Sequence, residues 1–202
     1  MTSIFFSTVQ EASVFLKAYE YGRFDGLSEG EFLEDGRIMV AVTGVGKIKA
    51  TLRTERFIRA KRPNKLLHIG TSSKLNSNLE TGTLLAIDQV FEGDRIELAM
   101  PVYPRMPLET PFTKLKTATL VSQDHAPKEA KDRVYWQRIA DVSDMEGYPI
   151  AYVAASHGIP VHIVKVLIGD VKSDDATLKR ILQTAYQQLS TFLLGAIQTN
   201  LI

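Results

Sequence analysis

Short apolar runs rich in β-branched residues alternate along this chain with longer stretches of helical spacing. No other feature restricts the fold as much. A strand followed by a covering helix, repeated, is the pattern of an α/β fold. Strands are expected at 2–6, 37–43, 65–70, 83–90, 117–122 and 161–168, and helices at 9–20, 47–61, 128–139, 148–157 and 174–198. The last helix has the clearest pattern: Leu178, Ile181, Leu182, Ala185, Leu189, Leu193, Ala196 and Ile197 form one apolar stripe at steps of three and four. Turn signals fall between these elements at Glu34-Asp35-Gly36, Arg62-Pro63-Asn64 and His157-Gly158-Ile159-Pro160. Nothing reads as a linker, so one domain is expected over residues 1–202. The stretch 92–112, with Pro101, Pro104, Pro107 and Pro111, suits neither a helix nor a central strand and reads as a functional loop or a subunit contact.

Composition removes several classes of chemistry. The chain has no cysteine, which excludes disulfides, thiolate nucleophiles and cysteine metal sites. Twenty-four basic residues against 23 acidic ones leave a net charge of +1, which gives no general case for nucleic acid or an anionic membrane as partner. The basic run from Lys47 to Lys65 reads as the solvated face of a helix, with Ile48, Leu52 and Ile58 left for its buried side. No run approaches the ~20 apolar residues of a membrane span, and the first residues lack a secretory pattern, so a soluble, cytoplasmic protein is expected. The four histidines show no metal-ligand spacing and no Gly-x-Ser-x-Gly elbow occurs, so neither a zinc hydrolase nor a serine hydrolase is indicated.

Three stretches carry candidate chemistry. Thr43-Gly44-Val45-Gly46-Lys47 links a strand to a helix, where glycines allow close backbone approach and free N–H groups favour an anion or a polar sugar. Gly70-Thr71-Ser72-Ser73 places three hydroxyls at a strand end, a cradle for water or a sugar hydroxyl, or simply a turn. Asp144-Met145-Glu146-Gly147 precedes a helix whose first turn holds Pro149, and the next strand ends at Gly169-Asp170. Two acids at helix starts and strand ends frame the crevice of an open α/β sheet and can act on one small molecule. The same residues also suit an ordinary helix start, with Asp144 as cap and Glu146 as a first-turn acid.

In order, Val42-Thr-Gly-Val-Gly-Lys-Ile-Lys-Ala, Leu67-His-Ile-Gly-Thr-Ser, Asp144-Met-Glu-Gly with Ile150-Ala-Tyr-Val-Ala, and Ile159-Pro-Val running to Gly169-Asp170-Val resemble the nucleoside phosphorylase and nucleosidase superfamily, closest to the methylthioadenosine/S-adenosylhomocysteine nucleosidases. The resemblance implies a three-layer α/β/α domain with a central mixed sheet, a homodimer to which 92–112 contributes, a small nucleoside as substrate, and no metal or organic cofactor. Glu146 would hold the ribose hydroxyls over Met145, with Gly44 and His125 lining the substrate pocket and His125 stacking on the base. Asp170 would protonate the leaving purine, and Glu11 would activate water held by Thr71 and Ser73. The run Lys165-Val-Leu-Ile-Gly-Asp is one residue longer than the family pattern, which leaves Asp174 or Asp175 as the alternative acid. Superfamily phosphorylases carry an arginine ahead of the glycine matched by Gly70; here Leu67, His68 and Ile69 stand there, which favours hydrolysis. A phosphorylase, a futalosine-type hydrolase and a catalytically silent nucleoside binder are the alternatives.

Overall fold

In chain order the elements are β1 (Thr2–Phe6), α1 (Val9–Ala18), β2 (Phe32–Glu34), β3 (Ile38–Val42), α2 (Lys47–Lys61), β4 (Lys65–Lys74), β5 (Leu84–Glu92), β6 (Arg105–Pro107), β7 (Lys116–Ser122), α3 (Ala130–Trp136), β8 (Val142–Asp144), α4 (Gly147–Ser156), β9 (Val161–Leu167) and α5 (Asp175–Gln198). They come from a computed structural model that describes residues 1–19, 24, 26–94, 104–127, 129–169 and 175–202. No described helix is long and apolar enough to cross a membrane.

The expected mixed sheet is present, and half of it closes on itself. β1 lies parallel between β3 and β4, with β2 antiparallel outside β3. β4 then pairs with both β9 and β8; β9 pairs with β5, β5 with β7, and β7 with β8, so these five strands form a ring. β4 can serve both halves because it is ten residues long. Its first part, Lys65–His68, pairs with β1, and its last two residues, Ser73 and Lys74, pair with β8. Where β4 parts from β1, between His68 and Ser73, its backbone N–H groups on that side face no strand.

Alternation along the inner strands separates two cores. Ile4, Phe6, Ile38, Val40 and Val42 pack with Ala12 and Phe15 of α1 and with Ala185, Leu189 and Leu193 of α5. Phe5, Met39 and Ala41 face the other way, onto Ala50, Phe57 and Ile58 of α2 and Ile150, Ala151 and Ala154 of α4. α4 ends as its sequence predicts: Gly158, at φ +67°, donates to Ala155 O, and Ile159 donates to Ala154 O.

Two expectations are corrected. Ile48 and Leu52 are 74% and 65% exposed, because the buried stripe of α2 is Ala50, Thr54, Phe57 and Ile58. Two residues along a helix is about 200° of rotation, so Ile48 and Leu52 point away from the sheet. The hydroxyls of 71–73 lie within β4, not in a turn after it. The proline-rich stretch contains a three-residue edge strand, β6, as proline permits at a sheet edge, while 95–103 lie outside the described residues.

Candidate active site

Where β4 leaves β1, the starts of α1, α2 and α4 converge on one cavity of about 200 Å³. Its lining includes Glu11, Thr71, Ser73, His125, Met145 and Glu146, six of the residues singled out from sequence.

Glu11 enters through a helix cap. Thr8 is the N-cap of α1; its Oγ1 accepts from Glu11 N at 3.1 Å, and Glu11 Oε2 accepts in return from Thr8 N at 3.3 Å. Ser7 N donates to the same oxygen at 3.2 Å. The other oxygen, Oε1, accepts from Thr71 N at 3.0 Å and Thr71 Oγ1 at 2.9 Å, using the N–H that β1 leaves free. Gly70 makes this approach possible, since a Cβ there would stand 3.1 Å from Oε1 and 3.3 Å from Oε2. The carboxylate thus joins α1 to β4 through four donors.

Glu146 precedes α4, yet its side chain does not cap that helix. It reaches across to the start of α2, where Gly46 N donates to Oε1 at 2.8 Å, while Ser7 Oγ donates to Oε2 at 3.0 Å. Gly46 holds φ +97°, a conformation that favours glycine. Burial first, and then the negative charge of Asp144, push the Glu146 carboxyl up to about 7. Capping falls to Asp144, whose Oδ2 accepts from Gly147 N at 2.9 Å. Asp144 is therefore the cap that its position in the sequence permits, whereas Glu146 is more than a first-turn acid.

Gly44 is a correction. At φ +80° it turns towards Arg53 and Glu29 beside α2 and does not line the cavity; the backbone N–H of this turn that serves the site is that of Gly46, spent on Glu146. Asp170 and Asp174 lie outside the described residues, and Asp175 is exposed at the first position of α5. His125 is at the cavity mouth, its side chain 58% exposed and its Nδ1 3.4 Å from Asp94 Oδ1.

Sequence reading passed over Ser7, Tyr186, His68 and Lys165. Tyr186, from α5, shares the cavity wall with Glu11, and burial followed by that neighbour's charge pushes its phenol up to about 12. His68 and Lys165 lie fully buried beside Asp144. A lysine in the middle of Val161-His-Ile-Val-Lys-Val-Leu was a signal, because a charge inside a buried strand requires a partner. Among the described residues the cavity lining contains no lysine or arginine, and its acidic side chains are Glu11, Asp144 and Glu146.

Residues 115–198 match the model of the phosphorylase superfamily. Over 155 residues the chain is 29% identical to a 5'-methylthioadenosine nucleosidase from Arabidopsis thaliana, a match covering 71% of this chain and 58% of that protein's length. Among solved structures it superposes on the 5'-methylthioadenosine/S-adenosylhomocysteine nucleosidase of Helicobacter pylori with butyl-thio-DADMe-Immucillin-A, with TM-score 0.81, 19% identity and coverage of 98% of this chain and 97% of that one. The futalosine hydrolase of the same organism gives TM-score 0.80, 19% identity and the same coverages. The nucleosidase of Neisseria meningitidis in complex with methylthio-immucillin-A gives 0.76 at 16% identity, covering 95% and 96%. Residues 115–198 thus match the phosphorylase-superfamily model, and nearly the whole chain has the fold of these solved nucleosidases.

Proposed function

We propose that the protein is a purine nucleosidase that hydrolyses the N-glycosidic bond of methylthioadenosine, S-adenosylhomocysteine or a related nucleoside. The observation that carries this reading is the pairing of Glu11 and Glu146 across one cavity whose described lining holds no lysine or arginine. Cleaving a ribosyl bond builds positive charge on the sugar, which flanking carboxylates stabilise. The same wall repels phosphate, and water is left as the nucleophile. Among the described residues the one buried lysine nearby, Lys165, is committed to Asp144 at 2.8 Å.

Glu146, held from behind by Gly46 N and Ser7 Oγ, offers its remaining lone pairs to the 2′ and 3′ hydroxyls, with Met145 beneath the ring. Thr71 donates to Glu11, and its hydroxyl oxygen keeps lone pairs free to accept from a water. As the water's oxygen attacks the anomeric carbon, its proton passes to the Thr71 hydroxyl while Thr71's own proton moves along its hydrogen bond to Glu11, the base, and Ser73 helps to place the water. Asp170 supplies the proton that lets the purine depart neutral. No cofactor enters these steps.

The neighbouring futalosine hydrolase fold supports a second reading. His125 at the cavity mouth, where the family resemblance sets an aromatic against the base, suits a different base. The test is base release from a panel of ribonucleosides and futalosine, with and without phosphate. Release independent of phosphate supports hydrolysis, phosphate-dependent release makes the protein a phosphorylase, and binding without release makes it a silent binder.

A homodimer is part of the proposal. Val45, Ile48, Leu52 and Tyr152 are 44%, 74%, 65% and 57% exposed along α2 and α4, beside a cavity that Val45 itself lines. A second copy covering this face would complete the cavity wall. Ile48→Asp with Leu52→Asp is expected to yield a monomer in light scattering, and an unchanged mass would refute this interface.

A further inference from the structure

Beneath the sugar end of the cavity lies a charge cluster that the chemistry above does not use. Lys165, 1% exposed, extends from β9 so that Nζ is 2.8 Å from Asp144 Oδ2 and 2.8 Å from His68 Nε2. His68 Nδ1 lies 3.1 Å from the carbonyl of Phe5. One tautomer satisfies both contacts: Nδ1–H donates to Phe5, and the Nε2 lone pair accepts from the lysine. Burial, and then the charge of Lys165, hold the ring below the ordinary imidazole range and hence neutral. Asp144 completes the chain, with Oδ1 accepting from Ser122 Oγ at 2.6 Å and Oδ2 from Gly147 N. Burial opposes its charge, but Lys165 and His68, with the donors Ser122 and Gly147, together outweigh burial and keep it ionised well below the usual carboxylate range. His68, Asp144 and Glu146 offer ligand atoms within 4.8 Å of one another, and the ammonium of Lys165, touching two of these side chains, is the cation seated there.

A buried ion pair contributes little net stability over apolar residues of similar volume. Its consequence lies in what it orients, and Asp144 leads directly into Met145 and Glu146. We propose that Lys165, backed by His68, is a positioning residue for the sugar site: its ammonium fixes the Asp144–Glu146 turn and offsets the charge of Asp144 beside the diol-binding carboxylate. This rests on the reading of Glu146 as the ligand of a vicinal diol. Among the described residues, the charged and titratable groups around Glu146 are Asp144 on β8, Lys165 on β9, His68 on β4, Glu11 on α1, Tyr186 on α5 and His125 after β7, while the start of α2 contributes the N–H of Gly46. Asp144 and Glu11 raise the Glu146 carboxyl; Lys165 and Gly46 lower it.

The two members of the pair therefore act on Glu146 with opposite sign. The test is a carbon-13 carboxyl titration of the ligand-free protein, with the Glu146 signal identified by its loss in Glu146→Gln. Lys165→Met leaves Asp144 uncompensated, held ionised by Ser122 and Gly147, and is expected to raise the Glu146 midpoint by about one pH unit. Asp144→Asn is expected to lower it by about as much, and the double variant to return it towards the wild type. At pH 7, Lys165→Met should raise KM for a ribonucleoside roughly tenfold with a smaller change in kcat, while a 2′-deoxynucleoside is little affected. Lys165→Gln, whose amide still donates to Asp144, carries the same test where the methionine variant does not fold. Midpoints that stay fixed or move in the same direction in the two single variants, or equal losses on ribo and deoxy substrates, would overturn the proposal. A protein that releases no base yet shows the opposed midpoints refutes the nucleosidase reading and leaves the positioning role intact.

Discussion

Glu11 and Glu146 are each 5% exposed and line the same cavity, yet their surroundings differ. Glu11 accepts four hydrogen bonds from Ser7, Thr8 and Thr71, all within or beside a helix cap and a strand edge. Glu146 accepts two, and a second carboxylate, Asp144, lies two residues away. A carboxylate with four donors is fixed in place; one with two donors keeps lone pairs for a ligand and carries an unrelieved electrostatic cost. Role therefore follows from the count of donors and neighbouring charges, since depth of burial is the same for both.

The largest effect expected from breaking this contrast is at the fixed carboxylate. Glu11→Gln should lower kcat by roughly 10²- to 10⁴-fold with nucleoside affinity nearly unchanged, as measured by steady-state turnover beside calorimetric binding. Asp170→Asn should fall in the same range, while Asp175→Asn, at the exposed start of α5, should turn over normally. Loss on Asp175→Asn instead would move the proton donor into α5.

At the poised carboxylate, Glu146→Gln should weaken ribonucleoside binding by about 2–3 kcal/mol and leave a 2′-deoxynucleoside far less affected. The same change should stabilise the empty protein at high pH. The folded carboxyl titrates near 7 against an ordinary 4.5, so the unfolded chain ionises first and native stability falls as pH rises between those values. The penalty is on the order of 3 kcal/mol above pH 7 and absent below pH 4.5. Melting curves should therefore show Glu146→Gln with the higher Tm at pH 8 and a Tm close to wild type at pH 4; a lower Tm at pH 8 would contradict the assigned strain.

The smallest effect sharpens the comparison from the other side. Gly70→Ala brings a methyl within 3.1 Å of Glu11 Oε1, so the four-donor carboxylate must shift. A loss of about tenfold in kcat, with about 1–2 kcal/mol of stability, is expected from turnover and denaturation of the variant. Unchanged kcat would show that the exact placement of Glu11 does not matter.

The sequence made the longer elements and one side of the site legible, for physical reasons. Strands of five or more residues and helices of ten or more impose a periodicity that can be read, whereas β2, β6 and β8, at three residues each, impose none. Glu11 was read only through the family resemblance, the capping box from Thr8 to Glu11 going unnoticed, and Glu146 through Pro149 and the turn before α4. The lysine–histidine pair was not, because Lys165 and His68 sit on strands 97 residues apart in sequence and meet only when β4 and β9 pair. Gly44 was chosen over Gly46 for the same kind of reason: both glycines have positive φ, and only the fold shows which N–H meets a carboxylate. The misplaced face of α2 has another cause, since Ile48 and Leu52 are apolar yet lie opposite the stripe that packs.

The most direct test of the account is the origin of the oxygen that ends up on the anomeric carbon. Methylthioadenosine turned over in ¹⁸O-labelled water containing millimolar unlabelled phosphate should give free methylthioribose carrying one heavy oxygen by mass spectrometry, and no sugar phosphate. A sugar 1-phosphate with no heavy oxygen at the anomeric carbon would show that the cavity bearing Glu11 and Glu146 admits phosphate, and would contradict the central claim.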